Sequence, residues 1–307
     1  MRFKHSFKIL IARFSLVWNI LMYYLIITII ISSLGAAVLI PIIETFKEMG
    51  LAQDFNAIIV SLFQNESPQA LSTKFMDLYF RIINEFLVIP KVGWSLRIFL
   101  LGIIGILARL LYGFGEMATL SVLEGHMSAN ARYSFGGAYL SNLWKSIKYQ
   151  TSKMLFTLPY DLFIVFVLYL MTYLFKIAAF RLFLPLLIMS VFIVLIAFRL
   201  TALSHWGASI AVDNMGVFKG FGHSLKLVFR RKNFFQVFSA FVVVVILVIA
   251  VNIFVTFFTL GAGLLMTVPF TVLWFNSLSM TSYYVAKGRR YYIDSDTIFT
   301  SPAVKDE

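Results

Sequence analysis

The sequence predicts an all-α membrane protein with six transmembrane helices. Hydrophobic residues make up 60% of the 307-residue chain, and the mean hydropathy is +0.88. Several apolar runs reach the length of about 20 residues that an α-helix needs to cross a bilayer. Because these runs are continuous and do not alternate over segments of about ten residues, they favour helices over a membrane β-barrel.

Six apolar runs define the predicted helices. They cover residues 16–40, 94–120, 154–175, 182–206, 234–258 and 263–285. The first run is too long for the core of a signal peptide and lacks a small-residue cleavage site, so we expect it to be a transmembrane helix. Residues 1–290 are predicted to form a single membrane domain. A polar, loosely ordered cytoplasmic tail is expected at 291–307.

The distribution of positive charge predicts the orientation. The net charge is +12, and Lys and Arg cluster at the N-terminus, in the second-to-third and fourth-to-fifth connections, and after the last helix. In a six-helix topology these four segments share one side, which the positive-inside rule assigns to the cytoplasm of a cell membrane. Both termini are therefore expected to be cytoplasmic. The expected partners are anionic lipid headgroups, and no nucleic acid is expected.

The long connection at residues 41–93 is predicted to be external and to contain two amphipathic helices. Apolar residues recur at helical spacing in each half, and Ser67-Pro68 is a plausible N-cap and first-turn pair for the second helix. The pair, at residues 51–89, could lie on the outer leaflet, cover the mouth of the bundle or dock a partner protein. A packed cap with no function of its own is the alternative.

Three cytoplasmic segments share a basic pattern that predicts an internal repeat. The motifs are His5-Ser6-Phe7-Lys8 with Arg13, Lys145-Ser146-Ile147-Lys148 with Lys153, and His223-Ser224-Leu225-Lys226 with Arg231. Each predicts a basic amphipathic helix in the inner interface, followed by a hairpin of two transmembrane helices. The alternative is that positive-inside pressure alone made the segments similar. The predicted lipid contacts are Lys8, Arg13, Lys148, Lys153, Lys226 and Arg231.

Two of these regions also carry a resemblance to a family. They contain Gly136-Gly137-Ala138-Tyr139-Leu140 and His223-Ser224-Leu225-Lys226-Leu227-Val228-Phe229-Arg230-Arg231-Lys232-Asn233-Phe234-Phe235. They resemble bacterial six-helix membrane proteins related to the membrane domain of glycerophosphoryl diester phosphodiesterases. The resemblance covers residues 95–290 and implies a six-helix membrane fold and an association with phospholipid metabolism. It supplies no catalytic residues, and the external segment departs from the family pattern.

Four ionisable residues fall inside the predicted transmembrane helices. They are Arg109, Glu116, Asp161 and Arg199. A charge at membrane depth costs at least about 2.5 kcal/mol, so such residues are functional candidates by default. Their formal charges cancel, and we expect them to face the bundle interior near Asn19, His205 and Asn276. They are either buried pairs that set helix register, or a polar cavity open to the inner leaflet where the arginines bind a phosphate or carboxylate.

The sequence contains no pattern that predicts a reaction. Without cysteine, the chain has no disulfides, thiolate metal sites or cysteine nucleophiles. The motifs of zinc proteases, phosphate-binding loops and serine hydrolases are missing, so no enzyme activity, metal or cofactor is expected. The four histidines are interpreted as interfacial. The favoured function is non-enzymatic binding or handling of phospholipid-like amphiphiles; the alternatives are an accessory or scaffold subunit of a membrane complex and a small-solute transporter.

Overall fold

Helices dominate the fold, as the sequence predicts. The structure, a computed structural model, describes residues 2–48, 50–64, 67–88, 92–172 and 183–300. Within these ranges the chain forms ten α-helices and one β-hairpin. They are α1 (Arg2–Ala12), α2 (Ser15–Glu48), α3 (Leu51–Phe63), α4 (Pro68–Val88), α5 (Val92–Ala129), α6 (Phe135–Thr172), α7 (Leu184–Asp213), α8 (Val217–Val228), α9 (Arg231–Thr259), α10 (Leu264–Ala286), β1 (Tyr291–Tyr292) and β2 (Ile298–Phe299).

Six of the helices are long and apolar enough to cross a membrane, which confirms the six-helix prediction. The segments are Ser15–Ala36, Phe99–Ala129, Phe135–Met171, Leu184–Asp213, Asn233–Thr259 and Leu264–Ala286. Each overlaps one predicted run. Hydrocarbon offers backbone groups no hydrogen-bond partners, so a continuous helix is the conformation that satisfies them over this length. Residues 176–181, which connect the third and fourth predicted runs, lie outside the described residues.

The chain divides into two compact units. Unit 1 comprises Met1–Ile27, Arg109–Leu162 and Ile193–Glu307, and unit 2 comprises Thr28–Ala108 and Phe163–Phe192. Helices α2, α5, α6 and α7 contribute residues to both units. The short helices α1 and α8 belong entirely to unit 1, whereas α3 and α4 belong to unit 2.

The core of unit 1 is built from large aromatic and aliphatic side chains. Trp206 and Tyr283 are fully buried in it. Helix α1 packs against α10, where the rings of Phe3 and Phe7 lie 5.7 and 5.5 Å from that of Trp274. Aromatic pairs at such distances add to the stabilisation that burial itself provides. Helix α1 is therefore part of the packed core along one side.

The three repeated motifs share a burial pattern but not a secondary structure. The first and third lie on the short helices α1 and α8, whereas the second lies within α6, which runs without a break from Phe135 to Thr172. The second motif thus differs from the predicted separate interfacial helix. The motif serines Ser6, Ser146 and Ser224 are all fully buried. The motif lysines Lys8, Lys148 and Lys226 are all exposed.

Residues 291–300 are ordered, and the predicted loose tail is wrong for this part of the chain. Strands β1 and β2 pair antiparallel, with Tyr291 opposite Phe299. The Asp294 carboxylate closes the turn by accepting hydrogen bonds from the backbone N–H groups of Asp296 (3.0 Å) and Thr297 (2.6 Å). Tyr291 is buried in the core of unit 1, and its hydroxyl lies 2.7 Å from Nδ1 of His5 on α1. The hairpin is thus held by packing against the core of unit 1, which the polarity of residues 291–300 does not reveal.

Unit 2 contains the two helices predicted for the 41–93 connection. Helix α4 begins at Pro68, and the Ser67 hydroxyl accepts a hydrogen bond from the Ala70 N–H at 3.3 Å. An exposed ion pair joins Arg81 on α4 to Asp54 on α3 at 2.5 Å. Asp54 lies early in α3 and Arg81 late in α4, whereas the Lys74 ammonium, early in α4, donates to the Ser61 hydroxyl, late in α3, at 2.7 Å, so the two helices run antiparallel.

Candidate functional site

A cavity of about 310 Å³ within unit 1 brings the predicted charged residues together. Helices α2, α5, α6, α7 and α10 all contribute to its wall. Arg109 and Glu116 on α5 and Arg199 on α7 line it directly. The cavity also contains one cation that was not assigned to this cluster, Lys153 on α6.

Asp161 is shared by two arginines. Its Oδ2 lies 2.6 Å from Nη1 of Arg109, and its Oδ1 accepts a hydrogen bond from Arg199. Arg109 also donates from Nη2 to the Thr157 hydroxyl at 2.5 Å. Thr157 and Asp161 are four residues apart and therefore lie on the same face of α6. The arrangement is an Arg–Asp–Arg triad in which one carboxylate faces two guanidinium groups.

Glu116 is held by three side chains of α6. The ammonium of Lys153 lies 2.6 and 2.5 Å from its two oxygens, Nε2 of Gln150 donates at 2.8 Å and the Tyr149 hydroxyl donates at 3.0 Å. A buried carboxylate needs a paired cation and further hydrogen bonds to offset its desolvation. The structure places the ammonium of Lys153, one of the predicted lipid contacts, on Glu116.

Two glycines let the helices approach closely enough to form this site. A Cβ at Gly113 would lie 2.5 Å from Oε1 of Gln150, and one at Gly207 would lie 2.9 Å from the Tyr149 hydroxyl. At these distances the neighbouring side chain has to shift, so a larger residue at either position would disturb Gln150 or Tyr149, two of the side chains that hold Glu116. Gly115, two residues further along the continuous helix α5, is also a close-packed position, since a Cβ there would lie 2.9 Å from the Tyr23 ring.

The charges of the cavity do not cancel. Arg109, Arg199 and Lys153 supply three positive charges, while Glu116 and Asp161 supply two negative ones, which leaves a net +1. The Arg109 and Arg199 side chains remain 36% and 26% accessible. Both guanidinium groups can therefore be reached from the cavity. The expected neutral cluster becomes a cationic one once Lys153 is included.

Of the three polar residues expected nearby, the structure brings one into the cavity. Asn276 on α10 lines the wall, is 7% exposed, and has an amide nitrogen without a hydrogen-bond partner among the described residues. His205 is instead fully buried elsewhere in the core, with its ring 5.6 Å from that of Tyr283. Asn19 is exposed and does not line the cavity. His126 is likewise buried, at 2% exposed.

The remaining predicted lipid contacts fall into three groups. Lys8, Lys148 and Lys226 are exposed, as a lipid-contacting side chain must be. Arg13 instead donates from Nη2 to the backbone carbonyl of Ala131 at 2.7 Å, so its guanidinium is tied to the protein. The side chain of Arg231 lies outside what the structure describes.

A groove near Lys148 combines cations with exposed aromatic rings. It has a volume of about 710 Å³ and lies between α6 and the segment that joins α7 to α8. Trp144 and Phe218 line it and are 67% and 73% exposed. The Lys148 ammonium stands 5.2 Å above the Trp144 ring. Aromatic rings beside lysines are typical of the boundary between lipid tails and headgroups.

Metal-ligand geometry and comparison with known proteins do not assign a function to the described residues. Within the described ranges, no three His, Asp or Glu side chains are grouped so that they could hold a metal ion. Comparison of the chain with protein-family models, curated proteins and solved structures finds no match in any of the three. The resemblance to the phosphodiesterase membrane domain therefore stays a prediction. Function has to be inferred from the chemistry of the cavity.

Proposed function

We propose that the protein binds or handles phospholipid-like amphiphiles without catalysing a reaction, and that the unit 1 cavity receives the anionic headgroup. The observation that carries this proposal is the Arg109–Asp161–Arg199 triad, in which one carboxylate faces two accessible guanidinium groups. Guanidinium groups present several N–H donors in a planar fork that matches phosphate and carboxylate oxygens. An arriving oxyanion would complete the neutralisation of a site that is one negative charge short.

The amphiphile's source would be the membrane itself. The lining helices contain segments long enough to span a bilayer, so a lipid can present its headgroup to the cavity while its chains stay in hydrocarbon. The exposed motif lysines and the Trp144–Phe218 groove support contact between unit 1 and anionic lipids. Polybasic segments next to a membrane gain about 1 kcal/mol per Lys or Arg from such lipids.

Native mass spectrometry of the protein extracted gently from its own membrane tests the headgroup site. Wild-type protein should retain anionic lipids, and Arg199→Leu should lose them, because the cavity then carries no net positive charge. Arg81→Leu, which removes an exposed arginine of unit 2, is the matched control and should retain the lipids. Equal lipid retention by folded Arg199→Leu and wild-type protein would rule the headgroup site out.

We also propose that the chain comprises three units, each a basic segment followed by a helical hairpin, with the basic segments and both termini on the cytoplasmic side. The burial of all three motif serines beside exposed motif lysines supports a repeat. The absence of cysteine makes the orientation easy to test with single-cysteine variants. In right-side-out cells an impermeant maleimide should label Leu260→Cys, in the turn between α9 and α10, and should not label Lys8→Cys. The opposite labelling would invert the topology.

A second candidate function is that of an accessory subunit docked through α3 and α4. Phe55 and Val60 on α3 and Phe75 on α4 are exposed, at 54%, 44% and 58%, and a contiguous apolar patch on a surface outside hydrocarbon is typical of a protein-binding site. In the same mass spectrometry experiment, this function requires a stoichiometric protein partner that is lost in the Phe55→Ser/Phe75→Ser variant. Retention of selective lipids without such a protein would decide for the lipid-binding function.

A further inference from the structure

The net charge of +1 at the cavity indicates the charge of the anion that binds there. We propose that the cavity selects oxyanions that carry a single negative charge, such as phosphodiesters or carboxylates, over phosphate monoester dianions and over zwitterionic headgroups. This inference rests on the proposed headgroup site and names its ligand class. It depends on where the excess positive charge is located.

The excess charge lies at the arginines. Glu116 and Lys153 form a one-to-one pair, and Glu116 is further saturated by hydrogen bonds from Gln150 and Tyr149. That half of the cavity is neutral and has its hydrogen bonds made. Asp161, by contrast, is divided between Arg109 and Arg199, so the triad alone carries the net +1.

A monoanion is the ligand that brings this site to neutrality. Inside a protein an unpaired charge is poorly solvated, so any charge left over after binding is costly. A single negative charge beside the triad leaves no excess. A dianion leaves one uncompensated negative charge, and a zwitterion brings an ammonium group that faces the two arginines while the carboxylates are already occupied.

The rest of the wall is uncharged and mixes polar with apolar side chains. Ser204, Ser279, Tyr24, Tyr112 and Asn276 line it beside the charged groups. The Asn276 amide nitrogen, which is without a partner in the described part of the chain, is a donor suited to an ester or hydroxyl oxygen of the ligand. The cavity of about 310 Å³ has room for roughly ten water-sized groups of about 30 Å³ each. This volume suits a headgroup and is too small for the chains of an amphiphile.

The test measures the affinities of the full-length protein in nanodiscs of a neutral, non-phosphate glycolipid at pH 8.5. Phosphatidylglycerol supplies a lipid monoanion, phosphatidate a phosphate monoester that is mainly a dianion at this pH, and phosphatidylcholine a zwitterion. We expect phosphatidylglycerol to bind at least about tenfold more tightly than either of the others. Tighter binding of phosphatidate would overturn the charge selection and leave the headgroup site standing, whereas absence of binding by all three would overturn both.

Soluble probes distinguish a lipid headgroup from a free ester. Dimethyl phosphate and methyl phosphate carry the same charges as the two anionic lipids but have no chains. We expect dimethyl phosphate to compete with phosphatidylglycerol more strongly than methyl phosphate does. If dimethyl phosphate binds as tightly as the lipid, the monoanion class is supported and the ligand is a free phosphodiester. Stronger competition by methyl phosphate would contradict the selection.

Two isosteric variants shift the site charge in opposite directions. Glu116→Gln raises the net charge to +2 and should move the preference toward phosphatidate and methyl phosphate. Asn276→Asp lowers it to zero and should abolish the preference for phosphatidylglycerol. If one variant fails to fold, the other variant and the selectivity of the wild-type protein still test the proposed preference for monoanions. Unchanged selectivity in a folded variant would show that the charge count does not govern the ligand.

Discussion

Each of the two units contains an Arg–Asp ion pair, and the pairs differ in their surroundings. In unit 2, Arg81 and Asp54 are 45% and 41% exposed, so water solvates both charges. In unit 1, Asp161 is 29% exposed and pairs with two arginines that line a cavity in candidate transmembrane helices. The same residue types therefore form a surface pair that contributes little to stability in one unit, and a partly buried triad on which stability depends in the other. The environment of a pair decides its contribution.

The cavities of the two units show the same contrast. The unit 1 cavity is lined by charged and hydrogen-bonding side chains together with apolar ones. Unit 2 encloses a cavity of about 710 Å³ lined by side chains such as Ile58, Met76 and Phe192, and none of the described residues that line it is charged. One of its polar lining groups, the Ser72 hydroxyl, is buried without a described partner. Polar recognition is thus concentrated in unit 1.

The largest expected effect separates the two ion pairs. Asp161→Asn should lower the free energy of unfolding by about 3 kcal/mol, because it leaves two arginines beside one another without their carboxylate. The effect is at the lower end of the range for a buried pair because the Asp161 side chain remains 29% exposed. Asp54→Asn should cost about 0–1 kcal/mol. Denaturation in mixed micelles measures both, and equal losses would break the comparison.

The hydrogen bond from Tyr149 to Glu116 should give the next largest effect. Tyr149→Phe removes a donor to a charged group while keeping the ring, and the expected loss is about 2 kcal/mol. Tyr133→Phe is the control, since the Tyr133 ring is 57% exposed. If the two substitutions changed the unfolding midpoint equally, the Glu116 site would not be the source of stability that its geometry indicates.

Acidification should act on unit 1, because all four histidines of the chain belong to it. Burial lowers the pKa of His5 below the usual 6.5, and nearby positive charges, which include Lys8 and Lys4, lower it further. Burial also lowers the pKa of His223. The unfolded chain therefore takes up protons below pH 6.5 before the folded chain does. The stability from neutral His5 is complete above pH 6.5 and is lost as pH falls through the lowered folded pKa.

Hydrogen exchange measures this effect region by region. Between pH 7.5 and 5, after correction for intrinsic rates, protection of α1 and of the 291–300 hairpin should fall, while protection of α3 and α4 stays constant. His5→Gln, which retains a polar partner for Tyr291 but does not titrate, should weaken the pH dependence at α1. An equal loss of protection in α3 and α4 would assign acid sensitivity to a cause other than the histidines.

The smallest expected changes in stability lie in unit 2, at two serines: Ser72 within α4 and Ser67 at its N-terminal cap. Ser72→Ala should stabilise the protein by about 1 kcal/mol, because it removes a buried hydroxyl without a described partner and favours the helix. Ser67→Ala should destabilise it by about 1 kcal/mol through loss of the hydrogen bond to the Ala70 N–H. Thermal unfolding in detergent should shift in opposite directions, and shifts of the same sign would contradict both assignments.

The fold was more predictable than the site. All six transmembrane helices, and the start of α4 at Pro68, could be predicted because helical periodicity and apolar length are local properties of the chain. The hairpin at 291–300 was missed, although aromatic and β-branched residues flank the turn-forming Asp294-Ser295-Asp296. Its strands are too short to be recognised without the core of unit 1, against which they pack.

The sequence by itself determined which charges lie in membrane-length helices, since Arg109, Glu116, Asp161 and Arg199 stand inside apolar runs. The tertiary structure alone decided how they pair. Lys153 reaches Glu116 from a different helix, 37 positions away, and this contact changes the cluster from neutral to +1. Pairing across helices depends on which faces of α5, α6 and α7 pack together, and hydropathy specifies depth in a membrane but not rotation about a helix axis.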